Sequence, residues 1–217
     1  MAEPERAGVT RRTMVETALR LLDEVGLDGL SVRRLATELG VRSPSLYWHV
    51  RSKQELLDGM ADAIVVGATM GPPDDGETWQ DWLTRRARAY RRSLLAHRDG
   101  ARVVATASAL SPSTVTAFND ELTALVDRGF PPVLALRTIA TTTRYVHGFV
   151  LQEQSGPGQE AAPTDEQLTG LAAVLGGDPT AALVVAIRDG GGLLGEDVFE
   201  HGLRALVHGT EAELGTN

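Results

Sequence analysis

An all-α fold follows from three features of the 217-residue sequence. Apolar residues recur at helical spacing along nearly the whole chain, glycine and proline punctuate that pattern, and no segment alternates as a strand would. The same punctuation predicts an N-terminal helix-turn-helix head over residues 1–52 and a larger helical body over 53–217, with 53–69 bridging the two.

After an arm to about Ala7, expected to be disordered, a first helix runs from Thr10 to Val25. Val15, Ala18, Leu19, Leu22 and Val25 form its stripe, and Gly26 ends it. Ser31 caps a second helix with Val32, Leu35, Ala36 and Leu39 on one face, stopped by Gly40. Ser43 and Pro44 then offer an N-cap and a first-turn proline for a very short helix through Val50. Ser52 and Glu55 have capping-box spacing ahead of the bridging helix to Thr69, and the acidic, proline-rich MGPPDDGE closes it. Thr78 caps a helix to about His97. A short apolar helix spans Ala101 to Ala109, and Ser111 with Pro112 opens another that closes at Gly129. Pro131 and Pro132 start a long helix to Gln154, and SGPGQEAAP reads as a mobile loop. Thr164 and Gln167 cap a helix to Leu175, Asp178 and Pro179 start one to Arg188, and a last helix covers Glu196 to Glu213.

Two short helices joined at a tight glycine describe a helix-turn-helix. In its second helix Leu46 and Val50 serve the core, which leaves Ser45, Tyr47, Trp48 and His49 over, several of them hydrogen-bond donors. Arg33, Arg34, Arg42, Arg51 and Lys53 surround that surface, as expected of a helix that meets phosphates at its ends and base edges between them. The alternative, a plain helical hairpin with a solvated basic face, has to account for two large aromatics left exposed.

Net charge is -8, yet residues 1–53 hold nine bases against seven acids, so the basic end is the helix-turn-helix end. The absence of cysteine excludes disulfides, cysteine-ligated zinc and a cysteine nucleophile. The N-terminus lacks the apolar core of a signal peptide, and the longest apolar run, Ala181 to Ile187, is too short to span a bilayer. A cytoplasmic protein without a cofactor is expected. Two helices offer faces for a homodimer: Val198, Phe199, Gly202, Leu203, Leu206 and Val207 near the C-terminus, and Ile139, Val146 and Val150 in the long helix. Either face could instead complete a monomer core.

The stretch LSVRRLATELGVRSPSLYWHVRSKQELLDGM resembles the DNA-binding domain of the TetR family of one-component repressors. EVGLDGL, ETWQDWL, LLAHRDGARV, RGF and GFVLQEQ carry the likeness on into a body of the tetracycline-repressor type. The resemblance implies a homodimer that grips a palindromic operator in double-stranded DNA, and a cavity in each body whose ligand spreads the heads. Arg33, Ser43, Pro44, Ser45, Tyr47, Trp48, His49 and Lys53 fall at the family's DNA-contacting positions, with Tyr47 and Lys53 assigned to phosphates and Arg33 and Ser43 to base edges. Where tetracycline repressors carry a longer amide this chain has Ser43, which implies a different operator.

The ligand positions depart further. The family's two histidines fall at about Val104 and at Thr69, its drug-gripping asparagine becomes Arg86, and its second-shell glutamate becomes Gln152. The metal site is dismantled, so the resemblance implies an amphipathic organic effector other than magnesium-tetracycline, lined by Trp82, Arg86, Tyr90, Val104, Phe118, Glu121, His147, Phe149 and Gln152. Arg86 either meets an acidic ligand group or pairs within the bundle. The remaining motifs are weak. His201 and His208 share a helix face, His97 sits in the HRDGA turn, and GGGLLG lacks the strand and lysine of a phosphate loop. No nucleophile elbow points to an enzyme. The reading is a ligand-responsive repressor, with an effector-independent or activating regulator of the same fold as the alternative.

Overall fold

The computed structural model describes residues 9–68, 70–109, 111–155, 163–190 and 194–216, and no strand occurs among them. The expected disordered arm, Thr69 and nearly all of the expected mobile loop lie outside the described residues. The chain forms two compact units, Met1–Leu151 and Gln152–Asn217.

In the first unit, α1 (Arg11–Gly29) starts from a reciprocal capping box between Thr10 and Thr13. Gly26, at φ 69°, breaks it, so the expected stop is present as a kink followed by one more turn. Helix α2 (Val32–Glu38) has the expected Ser31 cap, which accepts from the Arg34 amide. Helix α3 (Ser43–Leu46) corrects the sequence reading: its N-cap is Arg42, without a side-chain cap, and Ser43 is the first helical residue. The backbone stays wound past it, since the Val50 amide donates to the Leu46 carbonyl at 3.0 Å. Met14, Ala18, Leu22, Leu35, Leu46 and Val50 are buried and hold the three helices together. Each such aliphatic side chain contributes about 1.5–3 kcal/mol.

Helix α4 (Lys53–Gly67) begins at Ser52, whose hydroxyl accepts from the Glu55 amide. Glu55 reaches back one residue further than a standard capping box, to the Arg51 amide at 2.7 Å. One face of α4, Leu56, Leu57, Met60, Ala61 and Ile64, is buried. It packs against α1, α5 (Trp79–Leu95), α6 (Gly100–Ala105) and α7 (Pro112–Val126). The expected Ala101 to Ala109 helix is shorter because the Asp58 carboxylate takes the Ser108 amide and hydroxyl, both at 2.8 Å. Ser111 caps α7 as expected, and α8 (Pro132–Glu153) follows.

In the second unit α9 (Asp165–Val174) has the expected Thr164–Gln167 capping box and packs against α10 (Ala182–Gly190). Helix α10 starts later than expected because Asp178 binds the Thr180 amide and hydroxyl in a turn of its own. Helix α11 covers Glu196–Leu214. Of the faces expected for dimer contact, Ile139, Val146, Val150, Phe199, Leu203 and Val207 are buried, whereas Val198, Gly202 and Leu206 are partly exposed.

Candidate nucleic-acid interface and effector cavity

The head presents the leftover side chains of its second helix outward. Leu46 and Val50 pin the segment to the core, and between them Trp48 is 90% and Tyr47 51% exposed. Pro44, Ser45 and His49 are exposed beside them and Ser43 partly so, while Arg33, Arg42 and Lys53 are exposed around the rim. None of the described ion pairs ties up Arg33, Arg42 or Lys53. Burying Trp48 would remove a large apolar surface from water, and nothing among the described residues does so.

The HRDGA turn, whose contacts the sequence does not disclose, holds this head. Asp99 sits in the left-handed region at φ 58°, and at Gly100 a Cβ would strike the Leu94 carbonyl, so only glycine fits. The turn aims its polar groups at the end of α1. Asp99 accepts from the Leu27 amide at 2.8 Å, and Asp23 accepts from the Arg98 amide at 2.9 Å and meets His97 Nδ1 at 3.2 Å. Arg102 bridges Asp28 at 3.0 Å and Asp99 at 3.2 Å, and holds the Asp28 carboxyl below its ordinary range. The Asp-Gly pair after His-Arg was the available signal, because a left-handed residue ahead of a glycine marks a built turn. His97 thus joins the turn to α1 through Asp23.

Helix α4 connects this end to a cavity. On one stripe, Gln54 donates to the Thr106 carbonyl, Asp58 binds Ser108, and Asp62 accepts from the Thr114 hydroxyl at 2.5 Å. At its far end Val65 and Val66 line a cavity of about 690 Å3 within the first unit. Helix α5 adds Arg86 and Tyr90, α6 Val104, α7 Thr114, Phe118 and Glu121, and α8 Thr143, Arg144 and His147.

Arg86 Nε donates to Glu121 Oε2 at 2.9 Å and Arg86 Nη1 to the Thr143 hydroxyl at 3.0 Å. Burial pushes the Glu121 carboxyl up, and Arg86 pulls it back. His147 Nε2 lies 3.0 Å from the Ala101 carbonyl, an acceptor, so Nε2 carries the proton and Nδ1 faces the Tyr90 hydroxyl at 3.4 Å. Burial holds His147 below the ordinary histidine range and pushes the Tyr90 phenol up to about 12.

Arg86, Tyr90, Val104, Phe118, Glu121 and His147, all expected at the ligand site, line this cavity, and Val104 stands where the resemblance put a histidine. Three others do not. Trp82 is fully buried, with its indole N–H on the Gly71 carbonyl at 2.7 Å. Phe149 packs on Tyr145 with Arg91 over its ring, and Gln152 is exposed in the second unit. Thr143 and Arg144 were missed, because only the rotation of α8 brings them to the wall with His147. No three His, Asp or Glu residues among those described form a group that could hold a metal ion.

Two family models match the chain. Residues 14–60 match that of bacterial regulatory proteins of the tetR family, and residues 72–214 that of the tetracyclin repressor-like C-terminal domain. The chain is 35% identical over 202 residues to the class C tetracycline repressor protein of Escherichia coli, covering 93% of this chain and 90% of that one. It is 31% identical over 207 residues, 95% and 86% of the two chains, to an HTH-type transcriptional regulator of Saccharopolyspora erythraea. Among solved structures it resembles Streptomyces coelicolor ActR in complex with actinorhodin, with TM-score 0.79 and 30% identity over 96% of this chain and 100% of that one. It also resembles class A TetR in complex with 5a,6-anhydrotetracycline and magnesium, with TM-score 0.67 and 31% identity over 94% and 99%.

Proposed function

We infer, on the premise that the chain belongs to the TetR family of transcriptional repressors with a DNA-binding helix-turn-helix and a ligand-binding C-terminal domain, that it is a homodimeric repressor released from a palindromic operator by a small organic effector. One observation carries this reading: α4 starts directly behind the recognition segment, at Lys53, and ends as cavity wall, at Val65 and Val66. Residues 1–52 serve as the reading head and 53–217 as the effector and dimer body, in the cytoplasm; among the described residues no helix is long and apolar enough to cross a membrane. Tyr47 and Lys53 hold phosphates, Arg33 and Ser43 meet base edges, Pro44 with Ser45 meets thymine methyls or a nearby phosphate, and Trp48, His49 and Arg42 complete the contact surface. A palindrome calls for two such heads related by a two-fold axis.

The effector acts by preferring the spread state. Pressure on Val104 and Thr114 moves α6 and the start of α7, which the Gln54, Asp58 and Asp62 bonds pass to α4. A differential affinity of about 1.4 kcal/mol changes the state ratio tenfold. Magnesium-tetracycline fits this cavity poorly, since no three His, Asp or Glu residues among those described form a group that could hold a metal ion and Val104 stands on the wall where the family carries a histidine. The relative that binds actinorhodin supports a polycyclic organic effector here.

The test is selection of bound duplexes from a random pool, followed by a gel-shift screen of organic compounds for release. A palindrome bound in a salt-sensitive manner and vacated on addition of one compound class is expected. Binding that no compound alters would favour the effector-independent regulator, and no affinity for any duplex would reject both.

A further inference from the structure

On the cavity wall Glu121 is 2% exposed and only one of its oxygens is used. Oε2 accepts from Arg86, whereas Oε1 is buried and has no partner. A buried carboxylate oxygen without a donor carries its full desolvation cost, so the site is built for a donor from outside the chain. Three donors on the wall are engaged elsewhere. Arg86 Nη1 is taken by Thr143, His147 Nε2 by Ala101, and the Thr114 hydroxyl by Asp62.

A second group on the wall is open. Arg144 is exposed, and none of the described ion pairs or hydrogen bonds engages it. Arg86 and Glu121 cancel, and His147 is kept neutral by burial, so Arg144 leaves the cavity one positive charge. The rest of the wall, including Val65, Val66, Val104, Phe118 and Ala140, is apolar.

We propose that the effector is an apolar-bodied monoanion bearing a hydroxyl or N–H group, which donates that hydrogen to Glu121 Oε1 and sets its anionic group against Arg144. This assignment rests on the cavity being the effector site. It excludes compounds that offer Glu121 only an ether or carbonyl oxygen, because two acceptors would then face each other in a low-dielectric wall.

Four probes test it on the full-length protein by calorimetry and thermal shift: a hydroxynaphthoic acid, its methyl ether, naphthoic acid and naphthol. The hydroxy acid is expected to bind about tenfold or more tightly than each of the others, as expected for a hydrogen bond to a charged group. In Glu121→Gln the amide oxygen keeps the Arg86 bond and the amide N–H2 turns to the cavity, where a hydroxyl and an ether oxygen can both accept, so the hydroxy acid should lose its advantage over the methyl ether. In Arg144→Gln the hydroxy acid should lose its advantage over naphthol. Equal affinity for hydroxy acid and methyl ether in the native protein overturns the proposal, as does failure of the hydroxy acid to bind at millimolar concentration. If Glu121→Gln does not fold, the native ranking decides. Operator binding followed in the same samples separates the two readings. Probes that bind in this order but leave the operator complex intact reject release by effector and keep the pocket chemistry. Release by a compound lacking donor and anion does the reverse.

Discussion

The recognition surface of the head and the wall of the cavity treat polar side chains in opposite ways. In the head, Tyr47, Trp48, His49 and Lys53 stand in solvent without internal duties, and each follows from its neighbours in sequence. In the cavity, Arg86 and Tyr90 of α5, Thr114 of α7 and His147 of α8 are bonded to other side chains or to backbone. A surface that meets a large, highly charged partner can leave its groups to water until contact, because water satisfies them at little cost. A wall of low dielectric has to satisfy its own groups, and Glu121 Oε1 is the exception that singles it out.

The largest expected effect tests the wall. Arg86→Met strands Glu121 as a buried charge and should cost about 3–5 kcal/mol in urea unfolding, whereas Arg86→Met with Glu121→Leu should recover most of the loss. No recovery in the double variant would mean that the pair shapes the wall by more than mutual neutralisation. Next, Leu46→Ala should cost about 2–5 kcal/mol and remove operator binding while probe binding to the cavity persists, because Leu46 is buried among the head helices and does not line the cavity. Loss of both together would break the comparison. Tyr47→Ala with Lys53→Ala should leave the melting temperature unchanged, weaken operator binding by roughly 2 kcal/mol and reduce the salt slope by about one for the lost lysine. A fall in melting temperature would show that these exposed groups have structural partners after all.

The smallest effect is in pH. Burial lowers the folded pKa of His147 below its unfolded value of 6.5, so the stability gained from keeping it neutral is present above that value and is lost as pH falls through the folded pKa. Urea titrations from pH 7.5 downward should show a steeper loss in the native protein than in His147→Gln. Equal slopes would remove His147 from the group of buried wall residues that the comparison relies on.

Local chemistry makes the head legible in the sequence. Ser31, Gly40 and Pro44 fix where helices begin and end, and Leu46 and Val50 leave a defined remainder exposed, because a helix of known start orients every side chain on it. Ser43 has the side chain of a cap without being one, since capping depends on the backbone angles of a single residue, and Arg42 adopts them instead. Of the nine positions that the resemblance assigns to the ligand, six line the cavity, whereas Trp82, Phe149 and Gln152 do not. Trp82 and Phe149 share helices with wall residues and differ from them in the direction they face, and Gln152 lies on α8 beyond the first unit.

The chain's own letters thus determined an all-helical architecture and the location of the helix-turn-helix, and the resemblance they carry implied that Val104 stands in place of a metal-binding histidine and Arg86 in place of a drug-gripping asparagine. Three matters were decided only when the helices packed. Arg86 was assigned to Glu121 rather than to a ligand, Ile139, Val146 and Val150 of α8 were buried, and the Asp99–Gly100 turn was set against the end of α1. The reason is range. Caps and periodicity act over one or two turns of helix, whereas a buried ion pair and a shared cavity depend on distances between residues 35 to 75 apart in the chain, which no local pattern specifies.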